Sequence, residues 1–330
     1  MTLFNTNENV IMSQLSDSLT SAKPANGWQL ITALLIGDKI PSQAWRKTTF
    51  RLKFFSRSLL NWRITHGLLN TLASNPLLDE ILSAQPSLPC KLHRPYLAAN
   101  MKHIDGLFAL RDHYNLIIQR MPLKMRLGHL GRQPFTLSSA QGKNGEQICL
   151  QLAAIDKLNK EGEATLLLRN AKGIMLAEIT FTLMNYRQQS TLFIGGLQGA
   201  DCAVPHAEIQ STTKACHGLF PKRLVLEGIL QLAQQLKIGQ VIAVGNSTHI
   251  YQNWRYHRKK RALLHADYDQ FWVSMGGKPC DDGYFLLPKH VTRKPMEEIA
   301  SKKRAEYRRR YQLLDELQQG IAAHFPQHQA

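Results

Sequence analysis

Asn246, Ser247, His249 and Tyr251 stand directly behind the apolar run Gln-Val-Ile-Ala-Val-Gly at 240–245. That run reads as a buried strand, and polar groups just beyond a buried strand's carboxyl end sit where α/β-type sheets often place chemistry. An imidazole such as that of His249 titrates near neutral pH and suits a general base, and Tyr251 can act as a general acid. With Asn246 they form the candidate catalytic set. The same Asn-Ser-Thr-His segment also makes a good turn and helix N-cap, and both readings stand.

A second set suits an anion. Pro221 fits the first position of a helix, where its missing N–H costs nothing. Free amides and the helix dipole at such an end favour phosphate, and His217, Gly218, Lys222 and Arg223 surround it. Upstream, Gly195, Gly196 and Gly199 in Gly-Gly-Leu-Gln-Gly would let a ligand approach the backbone or simply make a tight strand exit. The run is neither a P-loop nor a dinucleotide fingerprint. Cys216 and His217 are adjacent, so on a helix they point about 100° apart and do not form a productive thiol–imidazole pair. Glu178 lies among Ile and Thr, either as an acyl-transfer base or as a solvent-facing carboxylate.

These residues need elements to position them. Ser42 to Ala73 is amphipathic, with Leu52, Phe55, Leu59 and Trp62 at helical spacing and Ser42 as a plausible cap. We expect that stripe to be core, the rival being a basic aromatic helix lying on an anionic membrane. Helices follow near 77–84 and 105–120, and the turn-prone stretch 131–145 reads as a boundary. Beyond it the period becomes two. Segments at 147–155, 163–170, 178–184 and 191–194 give an antiparallel meander of about four strands, with a hairpin turn at Asn170–Gly173. A short helix from His206, the helix from Pro221, the 240–245 strand, a short helix at Tyr-Asp-Gln-Phe-Trp, a last strand at 284–287 and a charged helix at 296–323 complete the chain. The expected class is α+β: a helical amino-terminal region, then a mixed, mostly antiparallel sheet with packed helices, then a charged carboxyl-terminal helix. The expected divisions are a leader at 1–25, a helical region at 26–130, the α+β core at 131–290 and the basic helix at 291–330.

The chain has 330 residues and a formal charge of +17, with 41 Lys and Arg against 24 Asp and Glu. That excess is concentrated in residues 41–66, which contain no acid, in Arg-Tyr-His-Arg-Lys-Lys-Arg at 255–261, and in residues 289–310. Clustered cations attract polyanions, so the candidate partners are an anionic phosphate-bearing small molecule, anionic lipid and nucleic acid. Nucleic acid matches the charge, but no reader motif accompanies it. The 5 cysteines are scattered without a Cys-x-x-Cys pair, which argues against a disulfide framework or a structural zinc site, and no metal is expected. No basic leader or membrane-length apolar run is present, so the expected location is cytoplasmic, with peripheral contact to the inner membrane as the variant.

The runs Leu-Phe-Ile-Gly-Gly-Leu-Gln-Gly at 192–199, Lys214 to Gln234, Val244 to Tyr251, Tyr268 to Trp272 with Asp281 to Pro288, and Glu297 to Leu317 together resemble the VirK/YbjX family of enterobacterial and related proteins. The resemblance extends from about Arg94 to the tail. It implies a domain of unknown function linked to virulence and to tolerance of envelope stress, including cationic antimicrobial peptides, and it carries over no reaction or catalytic residue. The strand order is also similar to the acyl-CoA N-acyltransferase-like fold, in which a meander leads to a helix start that holds a pyrophosphate. That similarity implies acyl-CoA as cosubstrate and an acyl-transferring enzyme. This chain departs from it by inserting about twenty residues between Gly199 and Pro221. The alternative is a non-catalytic basic protein docked on anionic lipid.

Overall fold

The helices of the first ninety residues form one body, and the sheet with its own helices another, in the computed structural model, which describes residues 23–256 and 267–326. The chain divides after His93. The sequence suggests a boundary near 131, but the helices at 103–129 belong to the same unit as the sheet. Most of the leader, and the basic run from His257 to Arg261, lie outside the described residues.

The first unit contains α1 (Gly27–Ile36), α2 (Thr48–Leu60), α3 (Trp62–Ala73) and α4 (Leu78–Ala84). The Asn26 side chain caps α1 by accepting from Gln29 N, and Gly37 ends it at φ 94°. Gly27 lets α1 cross α3 closely, since a Cβ there would lie 2.8 Å from Asn70 N. Leu30, Leu34, Leu68, Leu69 and Leu72 fill the space between these helices.

Helix α2 turns a different face inward from the one its spacing suggests. Phe54 and Ser58 are its buried residues, whereas Leu52, Phe55 and Leu59 are exposed. Trp45 explains the choice. Its indole donates to Pro86 O at 2.8 Å, and its ring meets Phe50 and Phe54 edge-on at 5.0 and 5.1 Å, which fixes the 50/54 line inward.

The second unit opens with α5 (His103–Arg120) and α6 (Leu123–His129). The strands then run β1 (Phe135–Gln141), β2 (Gln147–Ala153), β3 (Ala164–Asn170), β4 (Met175–Tyr186) and β5 (Gln189–Gly199). After them come α7 (His206–Ala215), α8 (Pro221–Gln235), β6 (Gln240–Val244), α9 (Tyr268–Ser274), β7 (Lys278–Pro279), β8 (Tyr284–Leu287) and α10 (Arg304–Ala322). Among the described residues the eight strands form one sheet in the order β1-β2-β3-β4-β5-β6-β8-β7. Every neighbouring pair is antiparallel except β5 and β6, which the crossover through α7 and α8 makes parallel. The architecture is α+β.

Strand β1 falls in the stretch that reads as a turn-rich boundary. Phe-Thr-Leu-Ser-Ser-Ala-Gln is mostly polar, an irregularity between Thr136 and Ser138 interrupts its pairing, and it lies at the sheet edge. An alternating apolar signal is weakest on such a strand. Helix α10 covers it, with Gly320 against Ser138.

Odd-numbered β4 residues and their neighbours face α8, where Gly228 approaches Leu150 and Leu166. The even-numbered residues Glu178, Thr180 and Thr182 face the opposite side. There Glu163 accepts from Tyr96 at 2.9 Å and from Tyr114 of α5 at 2.7 Å, and the Tyr96 hydroxyl lies 2.8 Å from Thr182 Oγ1. Among the described residues no helix is long and apolar enough to cross a membrane.

Candidate functional site

Strands β5 and β6 pair from Thr191–Gln240 to Ile194–Ala243 and then part. The β4–β5 register shifts at the same level, because Phe181 pairs with Ile194 and Thr180 with Gly196, which leaves Gly195 as the extra residue. A bulge of this kind bends its strand and ends pairing, as bulges beside functional sites often do. Helix α9 occupies the positions of the next rungs. Leu197 N donates to the Tyr268 hydroxyl at 3.3 Å, and the Trp272 indole donates to Val244 O at 2.9 Å.

A carboxylate enters beside the bulge. Glu161, in the loop between β2 and β3, accepts two bonds from Gln198 Nε2, at 3.2 and 3.0 Å, and a further bond from Tyr251. The two glycines make room for it. A Cβ on Gly196 would lie 2.7 Å from the carboxyl carbon of Glu161, and one on Gly195 would lie 2.8 Å from its carbonyl carbon. The structure therefore fills the space over Gly195 and Gly196 with protein. Burial pushes the Glu161 carboxyl up to about 7, and the nearby charge of Glu178 adds to this, against the opposing hydrogen bonds from Gln198 and Tyr251. Glu178 itself is raised, chiefly by burial.

His249 completes the cluster. Thr248 Oγ1 accepts from Gly245 N at 2.9 Å and holds the turn after β6 that carries it. The ring is buried, stacked on Tyr268 at 5.1 Å, and its Nδ1 accepts from Tyr251 N at 3.3 Å. In the neutral ring that bond leaves the proton on Nε2, which has no hydrogen-bond partner among the described residues and lies 3.9 Å from Glu161 Oε1. Burial lowers His249 to about 4. At neutral pH the contact is thus between a neutral imidazole and a carboxyl near half-protonation, which is not an ion pair. Burial, followed by the Glu161 charge, raises the Tyr251 phenol.

Asn246 faces elsewhere. Its Nδ2 donates to Asp267 at 2.9 Å, its Oδ1 accepts from Tyr268 N at 2.8 Å, and its N–H donates to Asp269 at 2.7 Å. It fastens the β6 exit to the start of α9.

The candidate anion ligands fall into two places. Gly199 ends β5 with, among the described residues, only Lys222 close by, whose Cε would be 3.5 Å from an added Cβ. Lys222 is half-buried, makes no hydrogen bond or ion pair among the described residues, and is lowered by burial. Pro221 occupies the first turn of α8, which has no side-chain cap. Arg223 pairs with Glu227 at 3.4 Å, while its Nε is buried without a hydrogen-bond partner among the described residues. His217 and Gly218 adopt positive φ, 54° and 82°, at the end of α7. They line an open groove of about 660 Å³ with Lys143, Glu146, Lys214 and Arg309, to which Lys222 and Arg223 do not contribute. Neighbouring Cys216 is buried, and burial raises its thiol to about 12, which suits packing rather than nucleophilic attack.

Residues 43–323 match the family described as a protein of unknown function, DUF535. The chain belongs to this family. The DUF535 region contains every residue of the Glu161 cluster and of the Lys222 site. Escherichia coli K12 has a relative described as uncharacterized protein YbjX, 47% identical over 315 residues and covering 95% of each chain. An uncharacterized protein of Haemophilus influenzae is 26% identical over 213 residues, covering 64% of this chain and 69% of its own. A further match from the same organism is 31% identical over 141 residues, 42% of this chain and 46% of its own.

Glu161, Gln198 and Tyr268 did not emerge from the sequence as site residues. The available signal was Lys-Glu-Gly-Glu at 160–163, two carboxylates around a glycine directly before an apolar strand. The Gly195-Gly196 pair inside a strand was a second sign of close approach.

Proposed function

We propose that residues 94–330 form an acyl-transferring enzyme of the acyl-CoA N-acyltransferase type. The observation that carries this reading is Glu161, a buried carboxyl raised to about 7 at the level where β5 and β6 part. A base with that pKa accepts a proton efficiently at neutral pH and can return it. His249, lowered to about 4, stays neutral there and presents an Nε2 donor towards the same place. The sheet order supports the assignment: an antiparallel meander, a parallel pair joined through helices, then an antiparallel strand inserted beside β6.

In this scheme the acceptor's N–H or O–H proton passes to Glu161 as the acceptor attacks the thioester carbonyl. The C–S bond breaks, and the departing thiolate takes up a proton to leave as a thiol. Tyr251, bonded to Glu161, is the proton carrier between them. The phosphates of the acyl donor lie against the uncapped start of α8, with Lys222 as their cation and Gly199 leaving room beside it.

A melting-temperature titration with acyl-CoA tests the binding half. A ligand at a hundred times its Kd should stabilise the fold by about 2.7 kcal/mol. Lys222→Glu should remove the shift without lowering the melting temperature of the free protein. An unchanged shift in that variant, or none in the wild type at millimolar ligand, would overturn the assignment of the phosphate site.

A further inference from the structure

Helix α2 has its anchoring face inside and four further apolar side chains outside. Leu52, Phe55, Leu59 and Leu60 are 61%, 42%, 56% and 84% exposed, whereas Phe54 and Ser58 are buried. At 100° per residue, Leu52, Phe55 and Leu59 form one stripe, Leu60 and Lys53 lie together beside it, and Arg57 lies farther round, about 140° from Leu52. Both cations are exposed, as are Arg46, Lys47 and Arg63 around the helix ends. From Lys39 to Leu78 the chain contains no Asp or Glu.

We infer that α2 is a docking surface for an anionic phospholipid bilayer, with Leu52, Phe55, Leu59 and Leu60 entering the acyl-chain boundary and Lys53 and Arg57 at headgroup level. Charge complementarity selects this occupant, because an apolar stripe bordered by cations and free of acids matches an interface that is apolar below and anionic above. A nucleic acid would use the cations and gain nothing from three exposed leucines. A water-facing helix would not gather a phenylalanine and three leucines on its exposed side. The 13 residues of α2 span roughly 20 Å at 1.5 Å each, too short to cross a bilayer and sufficient to lie along its surface. Trp45, bonded to Pro86 O and packed on Phe54, holds the helix from behind, so the surface is preformed.

Cosedimentation of the full chain with phosphatidylcholine vesicles, with and without phosphatidylglycerol, tests this. The wild-type chain should sediment with the phosphatidylglycerol vesicles, remain in solution with neutral ones, and be partly released by salt. Phe55→Ser with Leu59→Ser, and separately Lys53→Glu with Arg57→Glu, should each lower partitioning by roughly tenfold or more. These side chains are exposed, so the melting temperature should hold, and Lys302→Glu with Lys303→Glu serves as the control that keeps binding. Failure of the wild type to sediment would overturn the inference. So would loss in the charge variant with full binding in the apolar one, which would signify attraction to any polyanion, DNA included. Concentration-dependent dimerisation abolished by the apolar variant, with no vesicle binding, would assign the stripe to a second copy of the chain and equally refute docking.

Discussion

Replacing Glu161 by Gln should make stability less dependent on pH, with a sign opposite to the usual carboxylate case. Its folded pKa of about 7 lies above the unfolded value of 4.5. Between those values the folded chain holds a proton that the unfolded chain has released, so stability is greatest at low pH and falls as pH rises towards 7. At 1.36 kcal/mol per unit, the two pKa values give a loss of roughly 2–3 kcal/mol between pH 5 and pH 8 from this residue alone. Glutamine preserves the shape and one acceptor and removes the titration. His249 works in the other direction. Lowered from 6.5 to about 4, it contributes stability that disappears as pH falls, so the wild-type profile is a dome in which the two groups partly cancel.

The informative quantity is therefore the difference between wild type and variant, in which the His249 contribution largely drops out. Urea unfolding at fixed pH supplies it. The variant should gain roughly 2–3 kcal/mol on the wild type between pH 5 and pH 8, or roughly 5–10 °C in melting temperature for a unit of this size. A difference that stays flat across this range would mean that Glu161 titrates normally and that its burial does not tune it.

The glycines of β5 should separate by position. Gly196→Ala places a Cβ 2.7 Å from the Glu161 carboxyl carbon, so the carboxyl must shift, and should cost ~1–3 kcal/mol as the Gln198 bonds are lost. Gly199→Ala meets only the flexible end of Lys222 at 3.5 Å and should stay within about 0.5 kcal/mol of wild type in the same unfolding assay. Equal costs at the two sites would contradict the close approach of Glu161.

The elements that a period reveals were legible in the sequence. Helix α8 starts at Pro221 and buries Leu226, Ile229, Leu230 and Ala233, and the Ile179/Phe181/Leu183 alternation is the inward face of β4. Features set by tertiary contact were not. Helix α2 offers two apolar lines, and the choice between them depends on Trp45 and Pro86, which no local pattern contains. Strand β1 is polar at a covered edge, so its pairing with β2 and its cover by α10 decide its structure. The site was half visible. His249 and Tyr251 follow a strand that could be recognised, and the structure brings them to Glu161, which arrives from a loop 88 positions earlier in the sequence. Its raised pKa is a property of burial, and burial of a carboxylate is what sequence patterns predict least well.

The most direct measurement follows thiol release from acyl-CoA, with amine acceptors, as a function of pH. The rate should rise through an apparent pKa near 7, the value given to Glu161, and Glu161→Gln should lower it by roughly a hundredfold or more while acyl-CoA still shifts the melting temperature. A variant that binds and turns over like the wild type would remove the buried carboxyl from the chemistry and contradict the account.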